Sequence, residues 1–200
     1  SWVWRQFFLF DLPQTSLYIT VGAIGGIIAA MVAIFRPTTA PYAAPLYALL
    51  QGLFLGGISS LMEASFPGIV IQAVGLTFGT LFALLFAYKT GLIKATENFK
   101  LGVAAATGGI FLMYMVNLVL GFFGASVPFI HDNGFLGIGI SAFIVVIAAL
   151  NLVLDFDFIE HGAEQGAPKF MEWRAALGLM ITLVWLYVEI LHLLSKLRSP

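Results

Sequence analysis

The sequence predicts an all-α, polytopic helical membrane protein, and three observations lead there. Of its 200 residues, 60% are apolar and 10% charged, with a mean hydropathy of +1.01. A soluble fold of that length needs far more polar surface, so lipid is the solvent. Six windows reach the length of about 20 apolar residues that crosses a bilayer as a helix: Leu17–Phe35, Tyr42–Met62, Ile69–Tyr88, Leu101–Phe123, Phe135–Leu154 and Ala175–Leu194. None shows the period-2 polarity of lipid-facing strands. Residues 1–200 therefore read as one transmembrane helical domain.

The opening segment, SWVWRQFFLFDLPQ, is too short to span and is broken by Arg5, Asp11 and Pro13. It reads either as an interfacial aromatic anchor or as the tail of a span that starts upstream of Ser1. The first two windows carry small residues at near-helical spacing, Gly25 and Gly26, then Gly52, Gly56, Gly57 and Ser60. Such residues let helix backbones approach closely where no hydrophobic force draws helices together. The first five windows hold no Asp, Glu, Lys or Arg.

The loops set the orientation. Arg36 follows the first span, Lys89, Lys94 and Lys100 the third, and Lys169 and Arg174 the fifth, whereas EASFPG and GASVPFIHDNG contain no Lys or Arg. By the positive-inside rule the basic loops at 36, 89–100 and 169–174 are cytoplasmic. Lys196 and Arg198 break that pattern, so the last helix either crosses with a basic tail outside or does not cross completely.

Polar residues inside the spans are the functional candidates. Gln51, Gln72, Asn117 and Asn151 are amides expected to bond between helices at roughly 1 kcal/mol each, or to line a path. The uncharged run from Phe135 ends in NLVLDFDFIEHG. Asp155 and Asp157 are about 200° apart around a helix, so they face different ways, while Asn151 and Asp155 share a face. Asp155 is the expected inward acid and Asp157 the one nearer the boundary. Glu189 sits inside the last span, where a charge costs about 2.5–3.5 kcal/mol and calls for a partner. Trp185, Glu189, His192 and Lys196 form one stripe, with His192 the nearest candidate partner for Glu189. Two carboxylates held close together cannot both ionise cheaply and share a proton; deprotonated, they suit a hard cation such as Ca²⁺, with Asp155 the candidate ligand.

Other classes are disfavoured. The chain has no cysteine, which removes disulfides, thiolate metal sites and cysteine nucleophiles. No GxSxG or HExxH occurs, and His131, His161 and His192 are assigned to an outside loop, an inside loop and a span. His131-Asp132-Asn133-Gly134 reads as a polar turn. No enzyme activity, resident cofactor or nucleic-acid partner is expected.

The blocks ALNLVLDFDFIEHGAEQGAP and TLVWLYVEILHLLSKL, with YALLQGLFLGGISSLMEASFPGIVIQAVGLTFGTLFALLFAYKTGLIKAT, resemble the Bax inhibitor-1 (transmembrane Bax inhibitor motif) family, closest to its bacterial YccA-like branch, from about Leu17 to Arg198. The resemblance implies seven helices with the last held centrally, and a bacterial inner membrane. It also implies a pH-sensitive Ca²⁺ leak in which two aspartates share a proton and latch the pore. The first of these falls on Asp155, and Asp157 falls where an amide is found. At the second, this chain has Trp185, with Glu189 one turn later. The YccA-like branch is associated with a membrane-bound AAA protease, so the alternative implied is a non-conducting protein that modulates such a protease or a survival complex.

Overall fold

Proline, glycine and capping side chains set the helix boundaries. The computed structural model describes residues 12–122 and 134–199. It holds α1 (Leu12–Phe35), α2 (Ala40–Ser65), α3 (Ile69–Lys89), α4 (Glu97–Phe122), α5 (Phe135–Glu164) and α6 (Lys169–Arg198), with a short 3-10 turn at Pro37–Thr39. All 6 helices are long and apolar enough to cross a membrane, and there is no strand among the described residues. The N-terminal aromatic segment and the turn at His131 lie outside the described residues.

Each junction satisfies backbone groups that the helix ends leave open. Pro37 disfavours helix at Arg36, and the Thr39 amide and hydroxyl both donate to the Arg36 carbonyl, at 2.9 and 2.7 Å. Glu63, the acid of the EASFPG junction, reaches over the start of α3 and accepts from the Gly68 amide at 2.6 Å and the Val70 amide at 3.0 Å. A carboxylate there also matches the positive end of the helix dipole. Thr96 caps α4 by accepting from the Phe99 amide at 3.3 Å. At the end of α5, Gly166 adopts φ 63° and the Ala167 amide bonds back to the Gly162 carbonyl at 3.0 Å. That left-handed C-terminal turn suits glycine, and Pro168 bars continuation.

Two helices outrun their apolar windows. α5 continues past Leu154 to Glu164, and α6 starts at Lys169, ahead of Ala175. Helical bonding does not stop where hydrocarbon ends, and 30 residues make a rod of about 45 Å against a core of about 30 Å.

Contacts group the chain into two compact units. One joins the chain up to Gln72 with Asp157–Val184; the other joins Ala73–Phe156 with the chain from Trp185. The first unit is built on close approach of α1 and α2. A Cβ added at Gly22 would lie 2.6 Å from the Leu50 carbonyl oxygen and 2.7 Å from the Phe54 nitrogen, and one at Gly26 would meet the Gln51 amide. Gly57 faces Ile19 in the same way. An alanine-rich cluster, Ala29, Ala33, Ala40, Ala43 and Ala44 with Tyr47, extends the seam, and Leu177 of α6 packs into it. Gly52 is different: nothing lies within 4 Å of its would-be Cβ, so it is not a packing glycine.

The second unit packs α4 against α5 through Ile110, Ile144 and Ile147, flanked by Ala106, Met113, Ile140, Leu150 and Trp185. Tyr88 of α3 leans on Phe156, ring centroids 5.9 Å apart. Phe78, Phe82 and Phe86 are exposed along α3, the composition of a lipid-facing surface.

The two kinds of glycine predict opposite results. Gly22→Ala forces a methyl into backbone and should destabilise by about 1–3 kcal/mol. Gly52→Ala, placed in open space, should be neutral or stabilise by up to about 1 kcal/mol. Thermal unfolding of both variants in detergent checks this.

Candidate functional site

In the second unit, α4 serves as a ruler for the polar residues. Thr107 and Tyr114, seven residues apart, lie on nearly the same face about 10 Å apart along the axis. At the first level Asn151 Nδ2 donates to Thr107 Oγ1 at 2.8 Å and to its own helix at the Ile147 carbonyl, also 2.8 Å. At the second, Tyr114 Oη donates to Glu189 Oε1 at 2.7 Å, and Trp185 Nε1 donates to the same oxygen at 3.2 Å. Between the two levels lies the Ile110–Ile144–Ile147 cluster, buried to 7% exposure or less. A dry apolar layer thus separates two polar ones.

A third polar level lies further along α6. Lys196, seven residues after Glu189 and 7% exposed, donates from Nζ to Ser141 Oγ at 2.9 Å and to the Gly137 carbonyl at 3.3 Å. Lys196 is not a solvent-facing tail charge; it is bonded inside, opposite the first turns of α5, so α6 runs alongside α5 to that depth.

Glu189 is 5% exposed, and its two donors are neutral. Both converge on the one oxygen, Oε1. The expected partner, His192, is not the one used: it sits three residues on, about 60° around the helix, on an exposed surface. Trp185, one turn back, and Tyr114, across on α4, take that place.

Asp155 is half-buried, with its Oδ2 shielded from solvent. It shares a helix face with Asn151, whose amide reaches α4, as expected from the four-residue spacing. The register also separates it from Glu189. Asn151 is level with Thr107, Glu189 with Tyr114, and Asp155 lies one turn beyond Asn151 on the far side, giving an axial gap of about 16 Å. By that register the two acids stand at separate levels of the unit. Asp157, in the first unit, is half-buried; His161 Nδ1 lies 3.4 Å from its Oδ1 and 2.9 Å from its carbonyl oxygen. Asn117 is half-buried on α4 and takes no part in the bonds at Asn151 or Glu189. Among the described residues no group of three or more His, Asp or Glu is arranged to hold a metal.

Thr107, Tyr114 and Ser141 were not singled out in the sequence. Their signal was present: a hydroxyl at a seven-residue interval on α4, and Gly137-x-x-x-Ser141 on α5, in otherwise apolar spans.

A protein-family model described as Bax inhibitor 1 like matches residues 2–199. The chain belongs to that family, and it is an integral membrane protein. No curated protein and no solved structure matches it.

Tyr114→Phe should lower stability by about 1–2 kcal/mol through loss of the bond to Glu189. Glu189→Gln keeps an acceptor for both donors, whereas Glu189→Leu strands them and should cost clearly more. Equal losses for the two Glu189 variants in thermal unfolding would show that these bonds contribute nothing.

Proposed function

We propose that this Bax inhibitor 1-like protein is a proton-sensitive cation leak pathway, passing Ca²⁺, with its basic loops on the cytoplasmic side of a bacterial inner membrane. The observation that carries the reading is Glu189, a carboxylate buried within the last span and held by the neutral donors Tyr114 and Trp185. An ionisable group in that setting marks an ion or proton path by default, because a purely structural role is met more cheaply by an apolar residue. Ca²⁺ takes oxygen ligands, and Asp155, Asn151, Thr107 and Glu189 offer carboxylate, amide and hydroxyl oxygens on α5, α4 and α6.

The chemistry follows from the layers. Protonated Glu189 is neutral, its Oε1 still accepts from Tyr114 and Trp185, and the isoleucine layer stays dry, which opposes ion passage as apolar constrictions do. Loss of the proton puts a charge beside that layer and favours hydration and a cation. Asp155 is the acid at the cytoplasmic mouth, acting as a separate station.

The competing reading is a non-conducting interaction protein that binds a membrane-bound AAA protease or a survival complex. It is favoured by the helical overhang past Leu154, where Phe158 and Trp173 are exposed beside Glu164 and Glu172.

Ca²⁺ entry into dye-loaded proteoliposomes across neutral pH separates the two. Wild type should conduct more as pH rises. Glu189→Gln should flatten that dependence, Asp155→Asn should reduce entry, and Ile147→Ala should raise it at every pH. Absence of flux from wild type and from Ile147→Ala, with both proteins folded, would favour the interaction protein.

A further inference from the structure

We infer that the α1–α2 seam of the first unit holds internal water at Gln51, near the middle of the membrane. Gln51 lies midway along the 26-residue α2 and is 9% exposed. Its amide nitrogen packs on Gly26, so the head group is aimed into the strip of small residues on α1. Among the described residues its Oε1 is buried with no hydrogen-bond partner.

That oxygen is an acceptor and needs a donor. The neighbouring backbone amides of α1 and α2 are engaged in their own helices, acyl chains carry no donors, and Gly22, Gly26, Leu50 and Phe54 bring none on their side chains. Water is the small donor that fits beside glycine. It needs further polar groups to hold it, and the helix carbonyls beside the glycines, each with a second lone pair, can accept its protons. The small residues are thus more than a packing device. By lacking a side chain opposite Gln51, Gly26 leaves room for the amide head group inside the span. This inference is independent of the cation pathway, whose residues belong to the second unit.

The chain contains no cysteine, so a single thiol can be introduced without background. Gln51→Cys, reconstituted in vesicles, is treated with a small water-soluble methanethiosulfonate, which reacts only with hydrated, ionised thiols. Thr38→Cys at the exposed 3-10 turn is the positive control, and Ala44→Cys, 1% exposed, is the dry one. Modification at position 51 under conditions that leave Ala44→Cys intact is expected. The second arm is the melting temperature of Gln51→Leu. A hydrated, satisfied amide makes leucine destabilising; a dry, unsatisfied amide makes it stabilising. A thiol at 51 as protected as that at 44, or a Gln51→Leu protein that melts above wild type, overturns the inference.

Discussion

Hydrocarbon offers no hydrogen bonds, so polar groups within the bilayer must be satisfied by the protein itself or by water that it encloses. That constraint explains more of this molecule than any packing preference does. It accounts for Glu63 folding back over the start of α3, where the EASFPG junction would otherwise leave open amides. It also accounts for the Lys196 ammonium being threaded between Ser141 and the Gly137 carbonyl. Polar side chains are few in these spans and fall in levels, Asn151 on Thr107, Glu189 on Tyr114 and Trp185, Lys196 on Ser141, because each must meet a partner at its own depth.

The spans were legible because bilayer thickness fixes their length and the five uncharged runs leave no ambiguity. Their ends were not. Leu154 and Ala175 mark where the apolar residues stop, while α5 and α6 stop only where Gly166 and Pro168 allow a turn. Among the site residues, the shared face of Asn151 and Asp155 followed from helical spacing alone, and the amide of Asn151 does bridge to another helix. Glu189 was conspicuous as an acid in a span, but its partner could not be read locally. Tyr114 lies 75 residues away in sequence, whereas His192, three residues away, looked like the obvious choice. The relation of Asp155 to Glu189 was hard to read for a similar reason: helix faces can be read from a sequence, but the relative depth of two helices cannot. Gly52 looked like part of a packing stripe and is not, while Gly22, which meets backbone, passed unnoticed.

The levels change how a proton-sensitive path must work. A latch in which two acids share one proton is a single switch. Here the acids stand about 16 Å apart along the helix axis with an isoleucine layer between their levels. Each can titrate separately, and the dry layer is the element whose hydration both would influence. In the proposed pathway, a buried Glu189 held by the neutral Tyr114 and Trp185 beside an apolar layer would favour a dry layer when protonated and a hydrated one when charged.

The most direct test of that separation is the protonation of Glu189 itself, followed by infrared difference spectroscopy of the carboxyl band that Glu189→Gln removes. If the acids are independent stations, Asp155→Asn leaves the midpoint and shape of the Glu189 titration unchanged, while Tyr114→Phe shifts it. A Glu189 titration displaced by Asp155→Asn would mean that the two carboxylates share a proton after all, and would contradict the register on which this account rests.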